Sequence, residues 1–250
     1  MSEAQYHPLP DRRQIAFRHI KGTGPTLVFL PGYLSDMAGS KATSLFDWAV
    51  AQGRACLLLD YSGCGKSPGQ FAEGTLSKWR SEVLALIAAQ VTGPVILIGS
   101  SMGGWLMLLA GLELGTKSPG QLAGLIGIAA APDFTAWGYS DEQQAELLAG
   151  EVVLEENAYG PQPTPTFPGF WADGQSNLLL GKEIDLDCPV RLIQGQADPD
   201  VPWHVALQLA EDLRSADVQV HLIKDGDHRL SRPADIAVLL QTVADLCSAT

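Results

Sequence analysis

Basic residues are scarce. Lys and Arg total 16 against 28 Asp and Glu, and they form no run anywhere in the 250 residues. Nucleic-acid binding needs clustered Lys and Arg, so a formal net charge of -12 argues against that class of partner. Long apolar runs are also missing, and none approaches the roughly 20 residues of a membrane-spanning helix. The start, Met1-Ser2-Glu3-Ala4-Gln5-Tyr6, lacks the basic residues and apolar core of a signal peptide. Cys56, Cys64, Cys188 and Cys247 make no C-x-x-C and no metal-ligand spacing. These absences lead us to expect a reduced, cytoplasmic protein without a membrane span. Charged residues are only 18% and hydrophobic ones 46%, which excludes disorder and supplies one large core. With no internal repeat and no linker, a single domain over 1–250 is expected.

What is present centres on Val95-Ile96-Leu97-Ile98, a fully buried strand by its composition. It runs into Gly99-Ser100-Ser101-Met102-Gly103, a G-x-S-x-G, and then into the apolar helical segment Trp105 to Ala110. Strand, glycine-flanked turn and helix form the context in which this motif is a nucleophile elbow. The spacing selects Ser101, because a motif centred on Ser100 would need glycine at Ile98. The Met102 N–H, at the positive end of the helix dipole, is then a candidate donor to a substrate oxygen.

Buried strands alternate with helices on either side of the elbow. Gln14 to Ile20 reads as an edge strand, closed by turn residues Gly22 to Pro25. His7 falls in an unstructured start. Thr26 to Leu30 is a buried strand, and the Gly32 loop after it offers the Tyr33 N–H as a second oxyanion donor, since Pro31 has none. A helix over Lys41 to Ala51, a strand over Cys56 to Leu59 and a helix capped by Thr75 follow. Gly65-Lys66-Ser67 is not a phosphate-binding loop. Position 60 is Asp instead of the required Gly, and Pro68-Gly69 blocks a prompt helix. A strand over Leu122 to Ile128 completes a rhythm that implies right-handed crossovers and a parallel sheet.

That rhythm breaks between Asp133 and Asp187. This stretch is read as a cap insertion, with one helix over Ser140 to Leu148 and a proline-rich run over Pro161 to Pro168. Phe134, Trp137, Tyr139, Tyr159, Phe167, Phe170 and Trp171 sit in it. They are expected both to line an apolar pocket and to give the insertion a small core. The sheet then resumes at Pro189 to Ile193 and ends with Val218 to Ile223, and Pro233 opens a last helix.

A serine hydroxyl needs a base to attack a carbonyl, and the base needs an acid to orient it. Asp198 follows the strand at 190 and His228 the strand at 218, both at the carboxyl edge where open α/β sheets place their sites. His204, at a helix start, is the competing base; His19 and His221 lie within strands. Asp133, after an earlier strand, and Asp200 compete for the acid.

The G-x-S-x-G elbow, the G-x-x-D-x-x-V-P segment from Gly195 to Pro202 and the Asp227-His228 pair resemble the α/β-hydrolase superfamily across nearly the whole chain. Phe29 to Ser35, Asp60 to Gly63, Lys78 to Arg80, Gly99 to Leu108 and Val201 to His204 are similar, more narrowly, to one branch. It is that of palmitoyl-protein thioesterases and acyl-glucuronide esterases, mitochondrial in animals, with their bacterial relatives. The match spans roughly 25 to 245 and is weakest in the insertion. It implies an α/β-hydrolase fold, with a mostly parallel central sheet, helices on both faces and a cap. It also implies a serine esterase or thioesterase acting on a small-molecule ester or thioester, or an acylated protein, without metal or organic cofactor. Ser101, Asp198 and His228 would be catalytic, with Tyr33 and Met102 binding the substrate oxygen. The competing readings are a carbon–carbon hydrolase with the same triad and an inactive binding module, which would be expected to have lost a triad member.

Overall fold

The computed structural model describes residues 3–157 and 160–249. Eight strands form the central sheet. In chain order they are β1 Gln5–Pro8, β2 Gln14–Ile20, β3 Thr23–Leu30, β4 Arg54–Leu59, β5 Val95–Ser100, β6 Leu122–Ile128, β9 Val190–Gly195 and β10 Val218–Ile223. Across the sheet the order is β1-β2-β4-β3-β5-β6-β9-β10. β4 through β10 in that order run parallel, while β1 and β2 are antiparallel to their neighbours.

The period of two along each strand sorts side chains to two cores. Leu27, Phe29, Cys56, Leu58, Ile96, Ile98, Ile126 and Ile128 meet α1 (Ser40–Gln52) and α8 (Pro233–Ala249) on one face. Val28, Leu30, Leu57, Leu59, Val95 and Leu97 meet α2 (Leu76–Gln90), α3 (Met102–Lys117) and α7 (His204–Asp212) on the other. Each large apolar side chain so buried stabilises the fold by about 1.5–3 kcal/mol. Continuous apolar runs in β3, β4 and β5 follow directly from cover on both faces.

Two expectations need correction. Gln14–Ile20 is not the edge, because β1 pairs along it and places His7 opposite Ile15 within a strand. Residues 15–18 are all buried, so β2 shows no clean alternation, and the short, largely exposed β1 takes the edge. The Gly22–Pro25 turn is also shorter than expected. β3 already begins at Thr23, and an irregular register between Thr23 and Leu27 accommodates Gly24-Pro25.

Between β6 and β9 the chain leaves the sheet. Where one helix was expected, it forms α4 (Phe134–Trp137), α5 (Asp141–Leu148), the antiparallel pair β7 (Val153–Glu155) and β8 (Thr164–Thr166), and α6 (Pro168–Gln175). Ser140 and Gln143 form a capping box at the start of α5. The excursion is tied down by polar contacts. Trp171 Nε1 and Gln175 Nε2 both donate to the Thr135 carbonyl, at 2.9 and 2.8 Å. The Ser77 N–H donates to Asp173 at 2.8 Å. Trp171 is buried with Leu147 and Val153 in a small core of the segment's own, Phe170 joins the main core, and Tyr159 lies outside the described residues.

Candidate active site

Ser101 stands between β5 and the first turn of α3 with φ 54° and ψ -123°. A non-glycine residue held there stores strain of about 1–3 kcal/mol and persists only where its surroundings over-determine the conformation. Here they do. The Ser101 N–H donates to the Ile128 carbonyl at 2.9 Å, and its own carbonyl accepts from Gly104 at 2.8 Å and Ala131 at 3.1 Å. The turn also requires glycine on both sides. A Cβ at Gly99 would lie 2.2 Å from the Gly103 oxygen, and one at Gly103 would lie 2.1 Å from the Leu30 oxygen.

The loops after β9 and β10 bring two further side chains to this serine. His228 Nε2 lies 3.0 Å from Ser101 Oγ, and His228 Nδ1 lies 2.9 Å from Asp198 Oδ2. The Asp198 side chain has 0% exposure and that of His228 16%. Asp198 Oδ1 accepts the N–H groups of Asp200 and Val201, both at 2.9 Å, and Oδ2 accepts the Gln194 amide at 3.0 Å. Burial pushes this carboxyl up, but the hydrogen bond and charge of His228 and the two backbone N–H groups outweigh it. The net effect holds the carboxyl below its usual range, so it is ionised near neutrality.

Of the rival acids, Asp133 is occupied elsewhere and Asp200 lies nearby but exposed. Asp133 accepts the Leu179 and Leu180 N–H groups, the shortest at 2.7 Å, and so anchors the chain after α6. His204 is exposed and packs edge-on to Trp203. His19 and His221 lie in β2 and β10. Asp200 is exposed, and its carboxylate falls within 4.8 Å of the His228 and Asp198 donor atoms. Asp198, Asp200 and His228 could in principle hold a cation. However, the Asp198 oxygens already accept from four protein donors, and recruiting His228 would take it from Ser101.

Ser101 opens into a cavity of about 650 Å³ whose lining includes Tyr33, Met102, Phe134, Trp137 and Tyr139. Met102 is the first residue of α3, so its N–H has no intrahelical partner. The loop bearing Tyr33 lies against the serine, since a Cβ at Gly32 would be 3.3 Å from Ser101 Cβ. The lining is also charged, with Asp36, Glu155, Glu156 and Asp200 as well as Lys41 and Arg229. Burial, then the Arg229 charge, lowers the Lys41 ammonium to about 8, and it donates to the Arg229 carbonyl beside His228.

The alpha/beta hydrolase family profile matches residues 27–239. The chain belongs to this family. Human mitochondrial palmitoyl-protein thioesterase ABHD10 is 39% identical over 248 residues, covering 95% of this chain and 78% of the relative. The mouse protein is 40% identical over 237 residues, covering 93% and 78%. Among solved structures, a putative hydrolase from Agrobacterium vitis S4 superposes with TM-score 0.91 at 38% identity, covering 98% of this chain and 100% of that one. Mouse alpha/beta hydrolase domain-containing protein 10 gives TM-score 0.91 at 36% identity, with 99% of each chain covered. A ferulic-acid complex of Est1E from Butyrivibrio proteoclasticus shares the fold at TM-score 0.76 and 17% identity, covering 97% of each chain.

Some parts of this α/β hydrolase's site escaped sequence reasoning. Gln194, 1% exposed, had one signal: it is an uncharged polar residue directly after the apolar pair Leu192-Ile193 of β9. The Tyr33 side chain had none. Its hydroxyl donates to the Pro165 carbonyl of β8 at 2.9 Å, and its ring packs on Phe71 and Phe170. One residue thus places its backbone beside Ser101 and its side chain across to the excursion.

Proposed function

We propose that this α/β hydrolase is a serine hydrolase that cleaves carboxylic ester or thioester bonds through an acyl-enzyme. The observation that carries this reading is the continuous hydrogen-bond chain from Ser101 Oγ through the His228 ring to the buried Asp198 carboxylate. A hydroxyl in that setting can be deprotonated as it attacks, and the imidazolium that results is stabilised by Asp198. His228 Nε2 takes the Ser101 proton as Oγ bonds to the substrate carbonyl carbon. The carbonyl oxygen, now negative, is held by the N–H groups of Tyr33 and Met102. The tetrahedral species collapses, the C–O or C–S bond breaks, and the alcohol or thiol leaves with the proton from His228. Water then repeats the sequence and frees Ser101 and the acid.

The aromatic lining supports an apolar acyl or aryl group, and residues 133–187 act as the cap that covers it. The name of the mammalian relatives, palmitoyl-protein thioesterase, points to long-chain S-acyl substrates among those to try first. The test is intact-mass analysis after exposure to a fluorophosphonate. One adduct on the parent protein and none on Ser101→Ala is expected, with hydrolysis of ester and thioester series lost in the same variant. Absence of an adduct on folded parent protein, or substantial hydrolysis by Ser101→Ala, would refute the assignment.

A further inference from the structure

We infer that the consecutive residues Asp60 and Tyr61 are positioning residues that clamp the loop carrying the Tyr33 N–H and so fix that donor relative to Ser101. The inference rests on the acyl-transfer reading above. The loop runs from Pro31 to Met37, and the peptide that presents the Tyr33 N–H begins at Gly32. Glycine has the least restricted backbone of any residue, so a peptide beginning there rotates unless both sides are held.

Both sides are held from one dipeptide at the end of β4. Upstream, the Tyr61 hydroxyl donates to the Pro31 carbonyl at 3.0 Å. Downstream, Asp60 Oδ1 accepts the Met37 N–H at 2.7 Å. Between these anchors the Gly32 carbonyl accepts the Ser35 N–H at 3.1 Å, which orients the peptide bearing the Tyr33 N–H. The anchors are themselves rigid. Asp60 Oδ2 accepts the Lys66 N–H at 2.8 Å, and the Asp60 carbonyl accepts Ser67 Oγ at 2.6 Å. Ser67 Oγ in turn accepts the Ala16 N–H of β2 at 2.8 Å. The Tyr61 ring stacks on Trp79 with centroids 5.3 Å apart.

The chemistry of Tyr61 separates placement from filling. Its side chain is fully buried at 0% exposure, and a phenylalanine ring would fill that space equally well. The hydroxyl adds a desolvation cost that is recovered only through its hydrogen bond to Pro31. Burial raises the phenol well above its ordinary range, so it remains a donor wherever the enzyme works.

The test is Tyr61→Phe, assayed by steady-state hydrolysis of an aryl ester, inhibition by a trifluoromethyl ketone, and thermal melting. The ketone forms a tetrahedral adduct whose oxyanion uses the same donors. We expect kcat to fall about tenfold with KM changed by less than about twofold, and ketone affinity to fall in parallel with kcat. Asp60→Asn, whose single amide oxygen can accept only one of the Met37 and Lys66 N–H groups that the two carboxylate oxygens now serve, should show the same pattern at about threefold and serves if the first variant folds poorly. A lowered melting temperature with unchanged kcat and ketone affinity would assign Tyr61 a purely structural part and overturn the inference. Parent protein without turnover or adduct at Ser101 removes the underlying reading as well. An active parent with an equally active Tyr61→Phe removes this inference alone.

Discussion

Alanine at Gly103 and alanine at Gly115 are the same substitution in the same helix, and the structure assigns them opposite outcomes. At Gly103 the new Cβ would lie 2.1 Å from the Leu30 oxygen and 2.5 Å from the Pro31 oxygen. Both obstacles are backbone, so no side-chain rotation relieves them. The start of α3 must move away from the end of β3 by about 0.9 Å merely to reach the tight limit of 3.0 Å. Overpacking of that severity costs about 3 kcal/mol, and the helix-propensity gain of about 1 kcal/mol offsets part of it. A net loss of about 2 kcal/mol lowers the melting temperature of a chain this size by about 4–8 °C. The same shift carries Met102 away from Tyr33, and a misplacement of about 1 Å in a catalytic frame costs about a hundredfold in rate. Gly115 is exposed near the end of α3, and nothing lies within 4 Å of a Cβ there. Gly115→Ala should therefore gain about 0.5–1 kcal/mol, raise the melting temperature by about 1–4 °C and leave turnover unchanged. Differential scanning fluorimetry and an aryl-ester assay on the two variants decide the matter. A Gly103→Ala protein that melts like Gly115→Ala and keeps parental kcat would refute the close-packed elbow.

Asp198→Asn should lower kcat by about 10³–10⁴-fold with the fold retained, because the His228 ring loses its orienting carboxylate. Asp133→Asn should leave kcat within about threefold while costing about 1–3 kcal/mol, since its oxygens serve the Leu179 and Leu180 N–H groups. The reverse pattern in the rate assay would make Asp133 the acid. Stability against pH gives an independent reading of Asp198. Its carboxyl in the folded chain lies below the ordinary 3.8, so the unfolded chain binds more protons in the window beneath that value. Asp198 therefore contributes stability above pH 3.8 that is lost as pH falls through the folded value. The melting-temperature difference between parent and Asp198→Asn should narrow as pH falls below 3.8. A difference that widens on acidification would contradict the lowered carboxyl.

The parts of this protein that were legible in its residues are those governed by near neighbours along the chain. Val95 to Gly103 encodes strand, sharp turn and helix within nine positions. The β-branched run favours a buried strand, and Gly99 and Gly103 permit the approach that any side chain would block. The Thr75 cap and the helix that starts after Ser140 are equally local, and both stand where the sequence places them. The parallel sheet followed from apolar strands alternating with helices, since only cover on both faces lets such runs persist. Questions of which distant groups meet were decided by the tertiary structure. Asp133 and Asp198 both follow strands, and position along the chain left Asp133 open as a rival to Asp198. The fold brings Asp198 against His228 and turns Asp133 to the Leu179 and Leu180 backbone. Gln14–Ile20 read as an edge because nothing in its composition discloses that β1 would pair along it. The hydroxyls of Tyr33 and Tyr61 found carbonyls 132 and 30 residues away. Such contacts leave no periodic trace, because a hydrogen bond constrains two atoms in space and places no demand on the residues between them.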